Sequence, residues 1–295
     1  MPPFLVAVTR KAAMEKIRLQ GHRDLELAVQ TAGSAKRPAL VLLHGWPHSH
    51  TLYAPVIDPL GTNFFVLAFD LPDVGKSHGA PPSAEKTVLA DIVLSAAEQM
   101  DAHDIVVAGI DVGGMIAFAA ARDHGKRIRG AVVANTAIPG LDPWQALISD
   151  PRIWHFGFHK VPGLPEALVQ GRQRKYFDYF TDVLAGDPKA VSDEYRQGFA
   201  DAYVRPSALK AGFDWYRAFD ADAKHNVEPA TIETPLHYLR GDADGRQPDD
   251  YLPGLRRAGV RRLTSEVLER CGEYAPIEAP RAFIRAVTGF VSTLS

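Results

Sequence analysis

The stretch Gly109-Ile110-Asp111-Val112-Gly113-Gly114 carries the clearest chemical signal in this 295-residue chain. A carboxylate stands there among residues too small to cover it. Ahead of it, Ile105-Val106-Val107-Ala108 is short, apolar and β-branched, which predicts a buried strand. Behind it, Met115 to Arg122 predicts a helix with a buried face. A strand that turns sharply into a helix through small residues is a nucleophile elbow. The turn strains the backbone of its central residue, and side chains on the neighbours would strike strand or helix. Such an elbow usually carries Ser, which attacks acyl carbons. A carboxylate attacks a saturated carbon instead and becomes an alkyl ester, which water must then hydrolyse. The leaving group of the first step is an epoxide oxygen or a halide. The plainer alternative is a glycine-rich turn in which Asp111 only caps the helix.

The elements around the elbow read as alternating strands and helices. Residues 15–33 alternate like a hairpin, with Gly21-His22 near its turn. Ala39 to Leu43 and Phe64 to Phe69 are continuous apolar runs, as central parallel strands require. The first ends in His44-Gly45-Trp46-Pro47 and the second in Asp70-Leu71-Pro72-Asp73-Val74-Gly75-Lys76-Ser77. That Gly-Lys-Ser is no phosphate loop, because the motif needs Gly where Asp70 stands. Residues 84–101 predict a helix and Ile128 to Ala134 another buried strand, stopped by Pro139-Gly140. From about 141 to 225 strand runs cease and helical, aromatic-rich patterns take over. Leu236 to Leu239 resumes a strand, followed by a helix near 249–257, a strand around 262–267 and a last helix over 281–293. This order predicts an α/β fold: a mostly parallel sheet flanked by helices, residues 1–140 and 226–295, with a helical cap, 141–225, inserted over the strands' carboxyl ends.

Bulk properties narrow the function. A hydrophobic content of 46% and a charged content of 23% are ordinary for a soluble enzyme. A net charge of −2 gives no reason to expect nucleic acid or an anionic membrane as partner. The single cysteine, Cys271, excludes an internal disulfide and fits a reducing compartment. Met1 to Val8 is too short for a signal-peptide core, and Arg10 and Lys11 follow it rather than precede it. No apolar run is long enough to span a bilayer. The expectation is a cytoplasmic protein acting on a small molecule, with a homodimer compatible. Neither metal-ligand spacing nor a dinucleotide fingerprint is present, so no metal or cofactor is implied.

In this order, His44-Gly45-Trp46-Pro47, Asp70 to Ser77, the Asp111 elbow, Gly241 to Asp244 and Gly272 to Pro280 resemble the α/β-hydrolase superfamily, in its epoxide hydrolase and dehalogenase branch. The resemblance runs from about residue 15. Within the cap, Trp154-His155-Phe156-Gly157-Phe158, Pro165 to Leu168 and Tyr203-Val204-Arg205-Pro206 are similar to bacterial epoxide hydrolases. Haloalkane dehalogenases generally place Trp after the nucleophile to hold the halide, and fluoroacetate dehalogenases clamp a carboxylate with arginines. Val112 and Met115 occupy those places here, which favours an epoxide.

The resemblance implies a role for each residue. Asp111 is the expected nucleophile, and the backbone N–H groups of Trp46 and Val112 the expected oxyanion hole. His44 is expected to be structural. Epoxide opening needs an acid opposite the nucleophile; by motif position His155 and Tyr203 match, with Tyr176, Tyr179 and Tyr216 as alternatives that are expected instead to be cap core. Asp244, with Asp242 close to it, matches the acid that orients a hydrolytic imidazole. That imidazole is missing. The family writes Gly-His in the closing loop, and this chain writes Gly272-Glu273; no histidine follows His237, which lies in a predicted strand. Either Glu273 acts as the base, with a pKa raised by Asp244, or the ester on Asp111 accumulates, or the pocket serves binding or a non-hydrolytic conversion. The leading expectation is an epoxide hydrolase-like enzyme acting on an apolar epoxide, with hydrolysis of the ester slow. A dehalogenase and a ligand-binding pseudo-hydrolase are the alternatives.

Overall fold

A computed structural model describes residues 13–21 and 24–294. The readings of Met1 to Val8, Arg10, Lys11 and His22 lie outside the described residues. Eight strands form one sheet: β1 (Ala13–Arg18), β2 (Glu26–Ala32), β3 (Ala39–Leu43), β4 (Phe65–Phe69), β5 (Val106–Ile110), β6 (Gly130–Ala134), β7 (Leu236–Gly241) and β8 (Leu263–Leu268). Their spatial order is β1-β2-β4-β3-β5-β6-β7-β8. β1 and β2 run antiparallel at one edge, and β3 to β8 are mutually parallel. β3, β4, β5 and β6 are buried along their whole length, as their unbroken apolar runs require when helices cover both faces.

Among the described residues, three α-helices precede the cap: α1 (Ala54–Leu60), α2 (Lys86–Glu98) and α3 (Val112–Asp123). Alternation along each strand sorts its side chains between two cores. Val41, Leu43, Leu67, Phe69 and Val107 pack with Leu89 and Val93 of α2 and Ile116 and Phe118 of α3. Leu40, Leu42, Val66 and Val106 pack on the other face with Val56 and Leu60 of α1. Truncating one such side chain, as in Leu42→Ala, would cost ~2–5 kcal/mol through lost burial and the cavity left behind.

Between β6 and β7 the chain forms the cap: α4 (Trp144–Ile148), α5 (Trp154–Lys160), α6 (Leu164–Val169), α7 (Gln173–Leu184), α8 (Asp193–Ala202), α9 (Pro206–Arg217) and α10 (Phe219–Asn226). The core closes with α11 (Leu252–Arg257), α12 (Ala275–Glu278) and α13 (Pro280–Ser292), whose Phe283 and Val287 complete the second core. The helix expected near 249–257 is a 3-10 turn, Pro248–Asp250, followed by α11; Pro253 falls in the first turn of α11, where its missing N–H has no helical partner to lose.

Two polar links seat the cap on the core. Lys86, at the start of α2, has its ammonium 2.7 Å from Asp222 Oδ2 on α10 and 2.6 Å from the Trp215 carbonyl oxygen, and it lies over the Phe219 ring. Arg205 donates to the carbonyl oxygens of Asp73, Gly75 and Ser77 at 2.7, 2.8 and 2.8 Å.

Candidate active site

Asp111 leaves the end of β5 with φ 53° and ψ −124°. A non-glycine residue there carries strain of ~1–3 kcal/mol and persists only where its surroundings enforce it. They do so by close packing. A Cβ on Gly109 would strike the Gly113 carbonyl, and one on Gly113 the Leu43 carbonyl. A Cβ on Gly45 would lie 2.6 Å from Asp111 Oδ2. The Asp111 N–H donates to Ala134 O at 3.1 Å, which ties the elbow to β6. β3 and β5 are neighbours whose chains depart to opposite sides, so the elbow sits at the switch point of the sheet.

The loop after β3 delivers the second wall. The Trp46 N–H donates to Asp111 Oδ2 at 2.8 Å, and the Val112 N–H also bonds the carboxylate. Burial pushes the Asp111 pKa up to about 7, against the pull of those two N–H groups and of Lys86. Asp111 is largely buried, and it lines a cavity. His44 supports the loop: its Nε2 accepts from the Leu71 N–H at 3.1 Å and its Nδ1 donates to Gly45 O at 2.8 Å. Burial lowers its pKa to about 4, so the ring is neutral.

The cavity holds about 110 Å³. One wall is largely apolar, with Trp46, Met115, Leu147, Phe156 and Tyr216; the other is polar, with Asn135, Arg240, Asp244, Arg246 and Glu273. Of the five expected catalytic residues, the structure brings Asp111, His155, Asp244 and Glu273 to this cavity. Tyr203 does not line it. Its ring is wholly buried, its hydroxyl donates to the His48 carbonyl at 3.0 Å, and its own carbonyl accepts from Gln173. Two phenols line it: Tyr251, stacked under Arg240, and Tyr216 on α9, which the sequence reading placed in the cap core. Burial, with Asp111 nearby, holds the Tyr216 pKa well above its ordinary value, so it keeps its proton. His155 stacks on Trp46 at 6.3 Å, and burial lowers its pKa to about 3. It is therefore a neutral ring with Nδ1 unpartnered. Tyr176 donates its hydroxyl to, or accepts from, His159 at 2.8 Å, and Tyr179 is exposed.

The closing loop supplies Glu273. Its N–H donates to Leu184 O at 2.9 Å, and Asn135 Nδ2 donates to Gly272 O at 2.8 Å. Burial, then the Asp111 charge, raises the Glu273 pKa well above the carboxylate range; Arg240 opposes this, and Asp244 adds to it. Its Oε1 is covered and unpartnered. Asp244 is ion-paired with Arg240 and lies 3.2 Å from Arg246, which in turn lies 3.1 Å from Asp150. Asp242 instead accepts from the Arg270 N–H at 2.6 Å, fixing the loop. His237 bonds Thr264 at 2.8 Å and stacks on Phe290, and it does not line the cavity.

Arg240 went unread as a site residue in the sequence, and Tyr216 was set aside as cap core. Arg240 was signalled by a charge ending an apolar strand run. Tyr216 had only a weak signal, since the buried face of α9 (Ala208, Leu209, Gly212, Phe213, Trp215, Tyr216) does not say which ring meets a cavity.

A capped, mostly parallel sheet with an acidic elbow at its switch point defines a hydrolase of the α/β-hydrolase fold. Comparison with known proteins gives the same class: the alpha/beta hydrolase fold family matches residues 38–164. Over 273 residues the chain is 26% identical to the soluble epoxide hydrolase of Corynebacterium sp. (strain C12), covering 90% of this chain and 93% of that one. It is 35% identical over 143 residues to haloalkane dehalogenase 1 of Mycobacterium tuberculosis (strain ATCC 25618 / H37Rv), covering 42% and 48%. Among solved structures it resembles the epoxide hydrolase CorEH without ligand, with 25% identity, a TM-score of 0.82 and coverage of 97% and 100%. It also resembles wild-type Cfl2 from Burkholderia cenocepacia, with 26% identity, a TM-score of 0.84 and coverage of 94% and 95%. The chain thus has the α/β-hydrolase fold and is similar to epoxide hydrolases and haloalkane dehalogenases.

Proposed function

We propose that this chain opens a small epoxide through an alkyl ester on Asp111. The observation that carries the reading is the Asp111 carboxylate, held at the elbow by the N–H groups of Trp46 and Val112 and facing the cap cavity. With Oδ2 in that hole, Oδ1 attacks the epoxide carbon; the C–O bond of the ring breaks as the ester bond forms. The departing oxygen takes a proton from Tyr216, with His155 offering a neutral N–H beside it. Val112 has no side-chain donor for a halide, which favours the epoxide over the alkyl halide. In the second step Oδ2 has become the ester carbonyl oxygen, and the same two N–H groups stabilise the oxyanion formed when water adds.

That second step needs a base. Burial raises the Glu273 pKa well above the carboxylate range, and this persists once Asp111 is esterified and uncharged, so Glu273 favours its protonated form and takes a proton from water poorly. Turnover is therefore slow and the ester long-lived. Residues 1–140 and 226–295 serve as the core domain and 141–225 as the cap, in a cytoplasmic enzyme whose one cysteine, Cys271, is buried and free.

The test is an intact-protein mass spectrum after incubation with a panel of small epoxides, for the wild type and Asp111→Asn. The expected result is addition of one epoxide mass, lost in the variant. Neither adduct nor diol from any epoxide would refute the reading for that panel.

A further inference from the structure

The carboxylate of Glu278, at the end of α12, accepts four backbone N–H groups from two separate segments. Two belong to the loop after α7 in the cap: Gly186 at 2.6 Å and Asp187 at 3.1 Å, both to Oε2. Two flank Glu273: Gly272 at 3.1 Å to Oε2 and Tyr274 at 2.9 Å to Oε1. The Glu273 N–H itself crosses to Leu184 O in the same cap segment. Main chain therefore meets main chain here, and two glycines permit it. A Cβ on Gly186 would lie 2.9 Å from both Glu278 Oε2 and the Gly272 nitrogen, and a Cβ on Gly272 would strike the Leu184 carbonyl oxygen and the Gly186 nitrogen.

We propose that Glu278 is a positioning residue that clamps the cap segment 184–187 to the Glu273 loop, so that the seat of the cap sets where the Glu273 carboxyl points. A carboxylate suits the task because it accepts several N–H groups at once and has no donor to conflict with them. Glu278 does not line the cavity and touches neither Asp111 nor Tyr216, so it acts on the ester-hydrolysis half of the reaction through Glu273. This last point rests on the proposed epoxide chemistry; the clamp itself does not.

The experiment compares wild type, Glu278→Ala, Glu278→Gln and Gly186→Ala by two measurements. The first is amide hydrogen exchange in peptides covering 184–187 and 271–274. Glu278→Ala is expected to speed exchange ~10-fold or more in both segments while leaving α3 unchanged. Gly186→Ala, which leaves residue 278 in place but crowds its Oε2 and the Gly272 nitrogen, should do the same, and Glu278→Gln, which keeps one acceptor oxygen, should lie between. Faster exchange in one segment only, or in neither, overturns the clamp. The second measurement follows formation and loss of the Asp111 ester by mass. Formation should stay within ~2-fold while loss slows ~10-fold, since only base positioning is disturbed; a parallel fall in both steps overturns the positioning role. If no epoxide labels Asp111 in the wild type, the proposed function fails, and exchange alone still decides the clamp.

Discussion

Arg240 holds Asp244. The two side chains, four residues apart at the end of β7, form an ion pair at the edge of the cavity, and Arg246 adds a second contact to the same carboxylate at 3.2 Å. Asp244 therefore has two cationic partners, and Glu273 lines the same cavity.

Placing an imidazole at position 273 should then supply only part of the rate a base can give. Glu273→His is expected to speed decay of the Asp111 ester ~10-fold, short of the ~10²–10⁴ that a well-placed base supplies, because Asp244 is committed elsewhere. Adding Arg240→Met should increase the gain by releasing Asp244. Decay of the adduct mass measures both, and no acceleration in either variant would remove base loss as the cause of slow turnover.

Ester formation should rise with pH through about 7, since Asp111 attacks only as the carboxylate. Stability should move the other way. The folded chain keeps the Asp111 proton up to about pH 7, whereas the unfolded chain releases it near 3.8. Across that window the unfolded form binds fewer protons, so folding weakens as pH rises. Asp111→Asn escapes this loss. It should melt higher than wild type at pH 8, by up to ~4 kcal/mol of stability, with the gap closing toward pH 4. Thermal melts at several pH values check the sign.

The two tyrosines should separate cleanly. Tyr216→Phe removes a phenol that lines the cavity and should slow ester formation ~10²-fold or more. Tyr203→Phe removes a donor to the His48 carbonyl and should lower stability by ~1 kcal/mol, with ester formation nearly unchanged. Equal effects on the chemistry would give Tyr203 back the role its motif position suggested.

Breaking the Lys86–Asp222 pair should unseat the cap. Both side chains are nearly inaccessible, so Lys86→Met leaves an unpaired buried carboxylate, at a cost of ~3–5 kcal/mol. Denaturant unfolding gives the loss. The double variant with Asp222→Leu should recover much of it, because no charge is then left uncompensated.

The core was legible because its signals are local. Ala39 to Leu43, Phe64 to Phe69 and Ile105 to Ala108 announce buried strands by composition alone, and the small residues around Asp111 announce a turn by what they exclude. Glu273 was legible as a departure, because the motif on either side of it stands. The cap was not legible at the same grain. Tyr203 and Tyr216 both lie in helical, aromatic-rich sequence, both are buried, and only packing against His48 or the cavity tells them apart. Arg240 likewise needed the ion pair with Asp244 to reveal what its charge was for.

The glycines at positions 45, 109 and 113 have a consequence beyond geometry. They dictate the direction of side chain 111 from backbone contacts, with no reference to what that side chain is. Residue 273 is fixed the same way, by main-chain bonds to Leu184 and Asn135 on each side. Frame and occupant are therefore separable: the contacts that fix positions 111 and 273 are made through the main chain, so either side chain can be exchanged with the surrounding architecture left intact.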